Sequence, residues 1–219
     1  ACHWGGFGHV RATLKGIERL VRDEVPFDYV VLLTGQDYPL RPAAAIERFL
    51  AEADGRSFMS HWPLPHEPWA GRGGLDRIER RHLLWRRAHV SLPARRRLPG
   101  GLAPYGGAPY WCLARPVVEH VRETVRRRPE LVRFFRHVFV PDEIFFQTIV
   151  VNSPWRETLV DDALRYVDWS GRPAPAILRR ADLDRLVASP KLFARKFDVT
   201  VDGEILDLLD ARLDRELVR

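Results

Sequence analysis

A chain of 219 residues, 46% hydrophobic and 29% charged, has the length for one sizeable domain and the balance of a folded soluble protein. No apolar run approaches the ~18 residues of a membrane span, and two cysteines, Cys2 and Cys112, supply no disulfide framework. The net charge of +6, carried on arginines apart from Lys15, Lys191 and Lys196, points to an acidic ligand or surface.

From Gly8 to Arg22, the residues Val10, Leu14, Ile17 and Val21 recur at helical spacing, and Pro26 closes that helix. The continuous apolar run over 29–33 predicts a parallel strand buried on both faces. Thr34-Gly35-Gln36-Asp37-Tyr38-Pro39 reads as a loop at its carboxyl end, where open α/β sheets bind ligands. The plainer reading is a turn in which Asp37 satisfies local amides. A helix over 43–53 and a strand over 57–61 follow. Residues 62–108 differ: Pro63, Pro65, Pro68, Gly71, Gly73 and Gly74 break regular structure, and arginines then crowd around Leu83, Leu84 and Trp85. This is read as a long excursion holding a helix or an irregular strand, and such loops tend to be functional or disordered.

Tyr110-Trp111-Cys112-Leu113 predicts a strand, and Pro116 opens a helix with Val117, Val121 and Val125 along one side. Helices are predicted over 130–137 and 142–151, and a short strand over 166–169. Asp182 caps a helix that ends before Pro190, and Glu204–Leu217 is amphipathic through Ile205, Leu208, Leu209 and Leu213. With no repeat and no linker, a single domain over 1–219 is expected, of the α/β sandwich class.

Four strings carry candidate chemistry. Leu192-Phe193-Ala194-Arg195-Lys196-Phe197-Asp198 sets two cations between phenylalanines. In an extended segment Phe193, Arg195 and Phe197 share one face, and Ala194, Lys196 and Asp198 the other. Charges beside large apolar groups are costly unless paired, so the string is either a salt-bridged edge strand or a cationic clamp for a diphosphate. In Pro141-Asp142-Glu143-Ile144-Phe145-Phe146-Gln147-Thr148, the acids sit in a helix's first turn, where the dipole favours them. Alternatively, one of them faces a cleft as a general base. The third string is the loop at 34–39. Trp4-Gly5-Gly6 sets an aromatic face beside glycines that permit close approach. Trp169 is either a stacking platform for a sugar or an ordinary packed tryptophan.

In this order, and with Gly106-Gly107-Ala108-Pro109-Tyr110-Trp111 and Asn152-Ser153 between them, the strings resemble the Branch family of glycosyltransferases. That family holds core-2 and I-branching β-1,6-N-acetylglucosaminyltransferases and peptide O-xylosyltransferases. The resemblance implies a GT-A-like fold, a mixed sheet flanked by helices. It implies an inverting, metal-independent transfer of GlcNAc or a xylose-like sugar from a UDP-sugar, forming a β-glycosidic bond. It further implies Glu143 as catalytic base and Arg195 and Lys196 as diphosphate ligands. Trp4, Gly5 and Asp37 fall on the donor side, Tyr110 and Trp169 on the acceptor side. No cofactor and no metal are expected; Asp182-Leu183-Asp184 lies at a predicted helix start, where Asp182 is an N-cap. Two departures stand out. Pro109 occupies the place of an aspartate in xylosyltransferase-like members, which argues against xylosyl transfer to a protein serine. The family's N-terminal strand–helix–strand unit is absent, and the chain opens at Ala1 in mid-motif, so an N-terminal truncation is expected.

The expected partners are the UDP-sugar and a glycan or glycolipid acceptor, in a cytoplasmic setting with peripheral association at an anionic inner membrane. The rival reading is a nucleic-acid-binding module built on Arg77, Arg80, Arg81, Arg86, Arg87 and Arg95-Arg96-Arg97 around Trp85. A basic patch is a footprint and not a code, and no recognition motif accompanies it, so no nucleic acid is expected. A third reading is a non-catalytic remnant of the transferase. Cys2, His3 and His9, or His61 and His66, lack the spacing of a zinc site.

Overall fold

A computed structural model describes residues 2–85, 88–170 and 174–217; Ala1, Arg86 and Arg87 lie outside them. The fold is mixed α/β, as the sequence predicts, in two compact units: Ala1–Val31 with Arg56–Asp161, and Leu32–Gly55 with Asp162–Arg219.

The first unit is built on a four-stranded sheet in the order Tyr29–Val31, Trp111–Ala114, Ser57–Met59, Leu159–Val160. The first three strands are antiparallel and the last pair is parallel. Every residue of the two central strands is buried, and the Ser57 hydroxyl accepts the Ala114 N–H at 2.9 Å. Helix Arg115–Arg127 begins with proline in its first turn and buries Val117, Val118 and Val121. Helix Gly8–Arg22 packs against it through Val10 and Ile17, with Glu18 and Arg122 paired at 2.7 Å on the rim. Phe135, Phe145 and Phe146 stack edge to face in the core, with Trp111 beside Phe146.

Two expectations change here, and the excursion expected to hold a helix or a strand proves to hold both. The run at 29–33 is neither parallel nor doubly buried. Tyr29–Val31 is the half-buried edge strand, antiparallel to Trp111–Ala114, and Leu33 is exposed. An edge strand lacks a neighbour on one side, which an apolar run alone does not reveal. The excursion 62–108 holds two small ribbons: Trp62–Pro63 pairs with Tyr105–Gly106, and Arg81–Trp85 pairs antiparallel with Ala88–Leu92. Between them, Gly71, Arg72, Gly73 and Gly74 all take positive φ, making a left-handed turn before the helix Leu75–Glu79. The predicted helix 142–151 is interrupted. Pro141–Glu143 forms one 3-10 turn, and helix Phe145–Val151 restarts after Ile144. Val140 precedes the turn at φ 49°, a conformation that breaks helical continuity and is costly for a β-branched residue.

The second unit carries a three-stranded sheet in the order Arg165–Val167, Phe193–Arg195, Asp37–Pro39. Its first pair is parallel and its second antiparallel. Leu40, Leu178, Leu186, Ala194, Phe197, Ile205 and Leu209 form its core, and helix Glu204–Leu217, at its predicted bounds, supplies the last two. The segment predicted as a loop at 34–39 therefore contributes a strand. The edge-strand reading of 192–198 is also corrected: Phe193–Arg195 is the central strand, with Phe193 and Ala194 both buried. Pairing on both sides and cover on both faces remove the alternation that period two would give. The expected strand at 166–169 spans Arg165–Val167. Asp182 does not cap helix Leu183–Ala188; its carboxylate reaches back to the Arg179 N–H at 2.8 Å and pairs with Arg185. No helix among the described residues is long and apolar enough to cross a membrane.

Candidate active site

In the first unit, three of the sequence strings interlock through their backbones. The Gly5 carbonyl accepts the Val140 N–H at 2.9 Å, two residues ahead of Asp142. Gly5 sits at φ 76° with no room for a side chain, since a Cβ there would lie 2.7 Å from the Phe139 ring. Trp4 meets Phe139 edge-on at 5.5 Å, with 77% of its surface exposed. On the other side, the Glu143 carbonyl accepts the Gly107 N–H at 2.9 Å. Gln147 donates to the Ala108 carbonyl at 2.7 Å, and the Thr148 hydroxyl bonds both the N–H and the carbonyl of Tyr105 at 3.2 Å. Trp4-Gly5, the Gly106–Ala108 turn and the Pro141–Thr148 segment are thus one constellation. Tyr110 follows that turn directly, half-buried, ahead of the strand Trp111–Ala114.

Glu143 stands in this constellation with its side chain 29% exposed, and its Oε2 accepts a hydrogen bond from an Arg77 guanidinium N–H at 2.8 Å. The Arg77 guanidinium carbon stands over the Trp69 ring, 4.0 Å from its centroid. Among the described residues, the other carboxylate oxygen, Oε1, makes no hydrogen bond to protein. Burial pushes the Glu143 carboxyl above the ordinary range, the Arg77 hydrogen bond and charge pull it back, and the Asp142 charge adds a smaller upward push. Burial likewise raises Asp142, opposed by its own backbone N–H, then His9 and Arg77. A half-desolvated carboxylate with one oxygen held and the other unengaged has the form of a general base.

The second unit holds the remaining residues. Arg195 faces the Asp37 carboxylate with Nε 3.3 Å from Oδ1, and Arg165 approaches the same oxygen at 3.6 Å. Asp37 Oδ2 accepts the Thr34 N–H at 2.6 Å and the Thr34 hydroxyl at 2.8 Å. The Asp37 side chain has no exposed surface and stands as a buried counter-charge to Arg195 and Arg165. Lys196, joined to Arg195 by a cis peptide, is half-buried and makes no ion pair among the described residues. Its carbonyl accepts the Leu178 N–H at 2.9 Å. Trp169, 53% exposed, follows the strand Arg165–Val167 and the Asp168 turn, whose carboxylate accepts the Ser170 N–H at 2.7 Å.

Trp4, Gly5, Tyr110 and Glu143 therefore belong to one unit, and Asp37, Arg195, Lys196 and Trp169 to the other. Sequence reasoning missed Arg77 as a partner of Glu143. It stands 66 positions away inside the arginine run, where composition reports a sign and no partner. It also missed Arg96, another member of the supposed patch. The Arg96 guanidinium is spent on the carbonyls of Arg80, His137 and Phe134 at 2.5–3.1 Å.

Comparison with known proteins gives relatives for this arrangement. The chain is similar to xylosyltransferase 2 of Canis lupus familiaris (31% identity over 233 residues) and of Homo sapiens (32% over 234), with 96% of this chain and 26% of each relative covered. It is similar to xylosyltransferase 1 of Canis lupus familiaris at 30% over 227 residues, covering 94% of this chain and 23% of the relative. The chain thus spans about a quarter of the length of the curated relatives it matches. The model of the Core-2/I-Branching enzyme family matches residues 1–187, a range that takes in the interlocked strings of the first unit. By that match and those relatives, the chain belongs to the Core-2/I-branching enzyme family.

Proposed function

We propose that the chain is an inverting glycosyltransferase that moves a sugar from a UDP-sugar to an acceptor hydroxyl without a metal. The observation that carries the reading is the Glu143 carboxylate, half-desolvated and held through one oxygen by Arg77. Glu143 takes the proton of the acceptor hydroxyl as its oxygen attacks the anomeric carbon from the side opposite the diphosphate. The bond between that carbon and the diphosphate oxygen breaks, UDP departs with the electron pair, and the configuration inverts. Arg195, set by buried Asp37, and Lys196, with no internal ion pair among the described residues, meet the negative charge that develops on the diphosphate. Asp37 acts through Arg195 in this reading, and Trp4 with Gly5 serves the nucleotide. Tyr110 and Trp169 serve the acceptor.

Family membership supports glycosyl transfer, and the names of the relatives favour a xylose-like pentose over GlcNAc. Pro109 favours a glycan or glycolipid hydroxyl over a protein serine. The ribbon Arg81–Trp85 and Ala88–Leu92 exposes Leu83, Val90 and Leu92, which supports peripheral contact with an anionic membrane. The rival nucleic-acid reading loses ground because Arg96 is committed to backbone carbonyls.

The test is a calorimetric titration of UDP in excess EDTA, on the parent chain and on Lys196→Ala and Glu143→Gln. Binding should survive EDTA, weaken in Lys196→Ala and persist in Glu143→Gln, while transfer is abolished in the last. Binding that appears only with a divalent cation defeats the metal-free reading. Substantial turnover in Glu143→Gln removes that residue as base.

A further inference from the structure

We infer that Arg77 is the positioning residue of the Glu143 base, and that Trp69, seated against Gly74 and Gly106, determines where Arg77 points. The inference rests on the reading of Glu143 as base and adds to it the device that aims the carboxylate.

The support is a train of close contacts within the first unit. A Cβ on Gly74 would lie 2.5 Å from the Trp69 ring, and one on Gly106 would lie 2.7 Å from its far edge. The indole is thus flush against two bare backbones, with the Trp62 ring edge-on at 5.5 Å. The Arg77 guanidinium carbon lies over that ring, 4.0 Å from its centroid, where packing and the ring's negative face both hold a cation. The Arg77 backbone is fixed as well: its carbonyl accepts the Phe139 N–H at 3.2 Å, four residues before Glu143. From that seat one N–H reaches Glu143 Oε2 at 2.8 Å. Both side chains are largely covered, at 19% and 29% exposure, so the pair is not a solvent-screened surface bridge.

Three chemical consequences follow. The cation favours the ionised carboxylate against the burial that opposes it. A single N–H on a single oxygen leaves Oε1 for the acceptor hydroxyl, which a bidentate fork would not. A guanidinium carries donors and no acceptor, so Arg77 offers no second site for the proton that Glu143 must take.

The experiment compares Arg77→Met, Arg77→Lys and Glu143→Gln in the whole chain. Two readouts are used: the carboxylate carbon-13 titration of Glu143, and the pH profile of UDP release from UDP-xylose and from UDP-GlcNAc. In Arg77→Met the Glu143 midpoint and the acid limb of the rate should both rise by about one unit or more. The turnover number should fall ~100-fold, as misplacement of a catalytic group by an ångström does, with UDP affinity unchanged. Arg77→Lys should restore most of the midpoint but not the rate, because an ammonium carries the charge without the planar stack. An unmoved midpoint in Arg77→Met overturns the inference. If that variant does not fold, Arg77→Lys with the parent's rate and profile overturns it instead. Turnover persisting in Glu143→Gln condemns the base reading itself; loss there beside an unshifted Arg77→Met condemns Arg77 alone.

Discussion

Asp37→Asn keeps the shape of a side chain and deletes one buried charge in the second unit. In the parent, the fully buried Asp37 carboxylate sits between Arg195 at 3.3 Å and Arg165 at 3.6 Å, with those side chains 14% and 1% exposed. Thr34 donates to it twice. Asparagine still offers Thr34 an acceptor, but it leaves two covered guanidinium groups facing a neutral amide. Breaking a buried pair by removing one partner costs about 3–5 kcal/mol. The lower end applies, because Arg165 keeps its bonds to the Ala163 and Leu32 carbonyls. A loss of ~3 kcal/mol corresponds to a fall in Tm of roughly 6–12 °C for a chain of this size. Urea denaturation followed by circular dichroism measures the loss, and the fluorine-19 resonance of Trp169, the second unit's one tryptophan, in the 5-fluorotryptophan-labelled chain assigns it to that unit. UDP affinity should fall together with stability, because Arg195 loses the group that aims it. The double variant Asp37→Asn/Arg195→Met should cost less than the sum of its parts. A loss below about 1 kcal/mol, the ordinary cost of a point substitution, with UDP affinity intact, would refute the claim that Asp37 holds Arg195.

Gly107→Ala should destabilise the first unit by about 3 kcal/mol, the upper end for overpacking. Its Cβ would lie 1.8 Å from the Ser60 carbonyl oxygen, and backbone cannot swing aside. Equal urea midpoints for variant and parent would show that the turn has slack. Tyr38 donates its hydroxyl to Asp210 at 2.6 Å; that bond, then burial, pushes its pKa to about 12. The folded state thus binds this proton more tightly than the unfolded one. The associated stability is full below about pH 10 and is lost as pH rises toward 12. Phenolate absorbance should show one late-titrating tyrosine that is missing from Tyr38→Phe. His82 is buried, with Nε2 3.0 Å from the Asp76 carbonyl and Nδ1 2.9 Å from His89, and burial lowers its pKa. Its contribution is present above about pH 6.5 and fades as pH falls toward the lowered folded value. Amide protection factors in the ribbon Arg81–Trp85 and Ala88–Leu92, which remove the intrinsic slowing of exchange in acid, should therefore fall on acidification, and this response should flatten in His82→Gln.

What the sequence disclosed and what it withheld follow from the range of each interaction. Helix Gly8–Arg22, the strand Trp111–Ala114 with its following helix, and helix Glu204–Leu217 were legible because one local period carries each. The strings Trp4-Gly5, Gly106–Ala108 and Pro141–Thr148 were legible as unusual local chemistry. Their interlocking was not, because the bonds Gly5–Val140 and Gly107–Glu143 run between residues far apart in the chain. Burial failed where a side chain's company decides it. Leu33 ends an apolar run yet is exposed, and Asp37 lies in a polar string yet its side chain has no exposed surface.

The arginines make the same point about function. Read as composition, Arg77, Arg96, Arg165 and Arg195 are interchangeable members of a basic chain. In the structure they stand in three different settings. Arg96 is spent on carbonyls, Arg165 and Arg195 flank a buried carboxylate, and Arg77 grips the proposed base from an aromatic seat. A guanidinium fixed by its neighbours contributes direction as well as charge, and direction is what separates a phosphate ligand or a base-positioning group from a solvated cation. Lys196, which makes no ion pair among the described residues although Asp198 feels its charge, is then a cation that an incoming anion can meet. On that reasoning Lys196→Ala should weaken UDP binding with little cost in stability, whereas Asp37→Asn should lose both together. The contrast between the two variants separates a ligand contact from the scaffold that aims its neighbour.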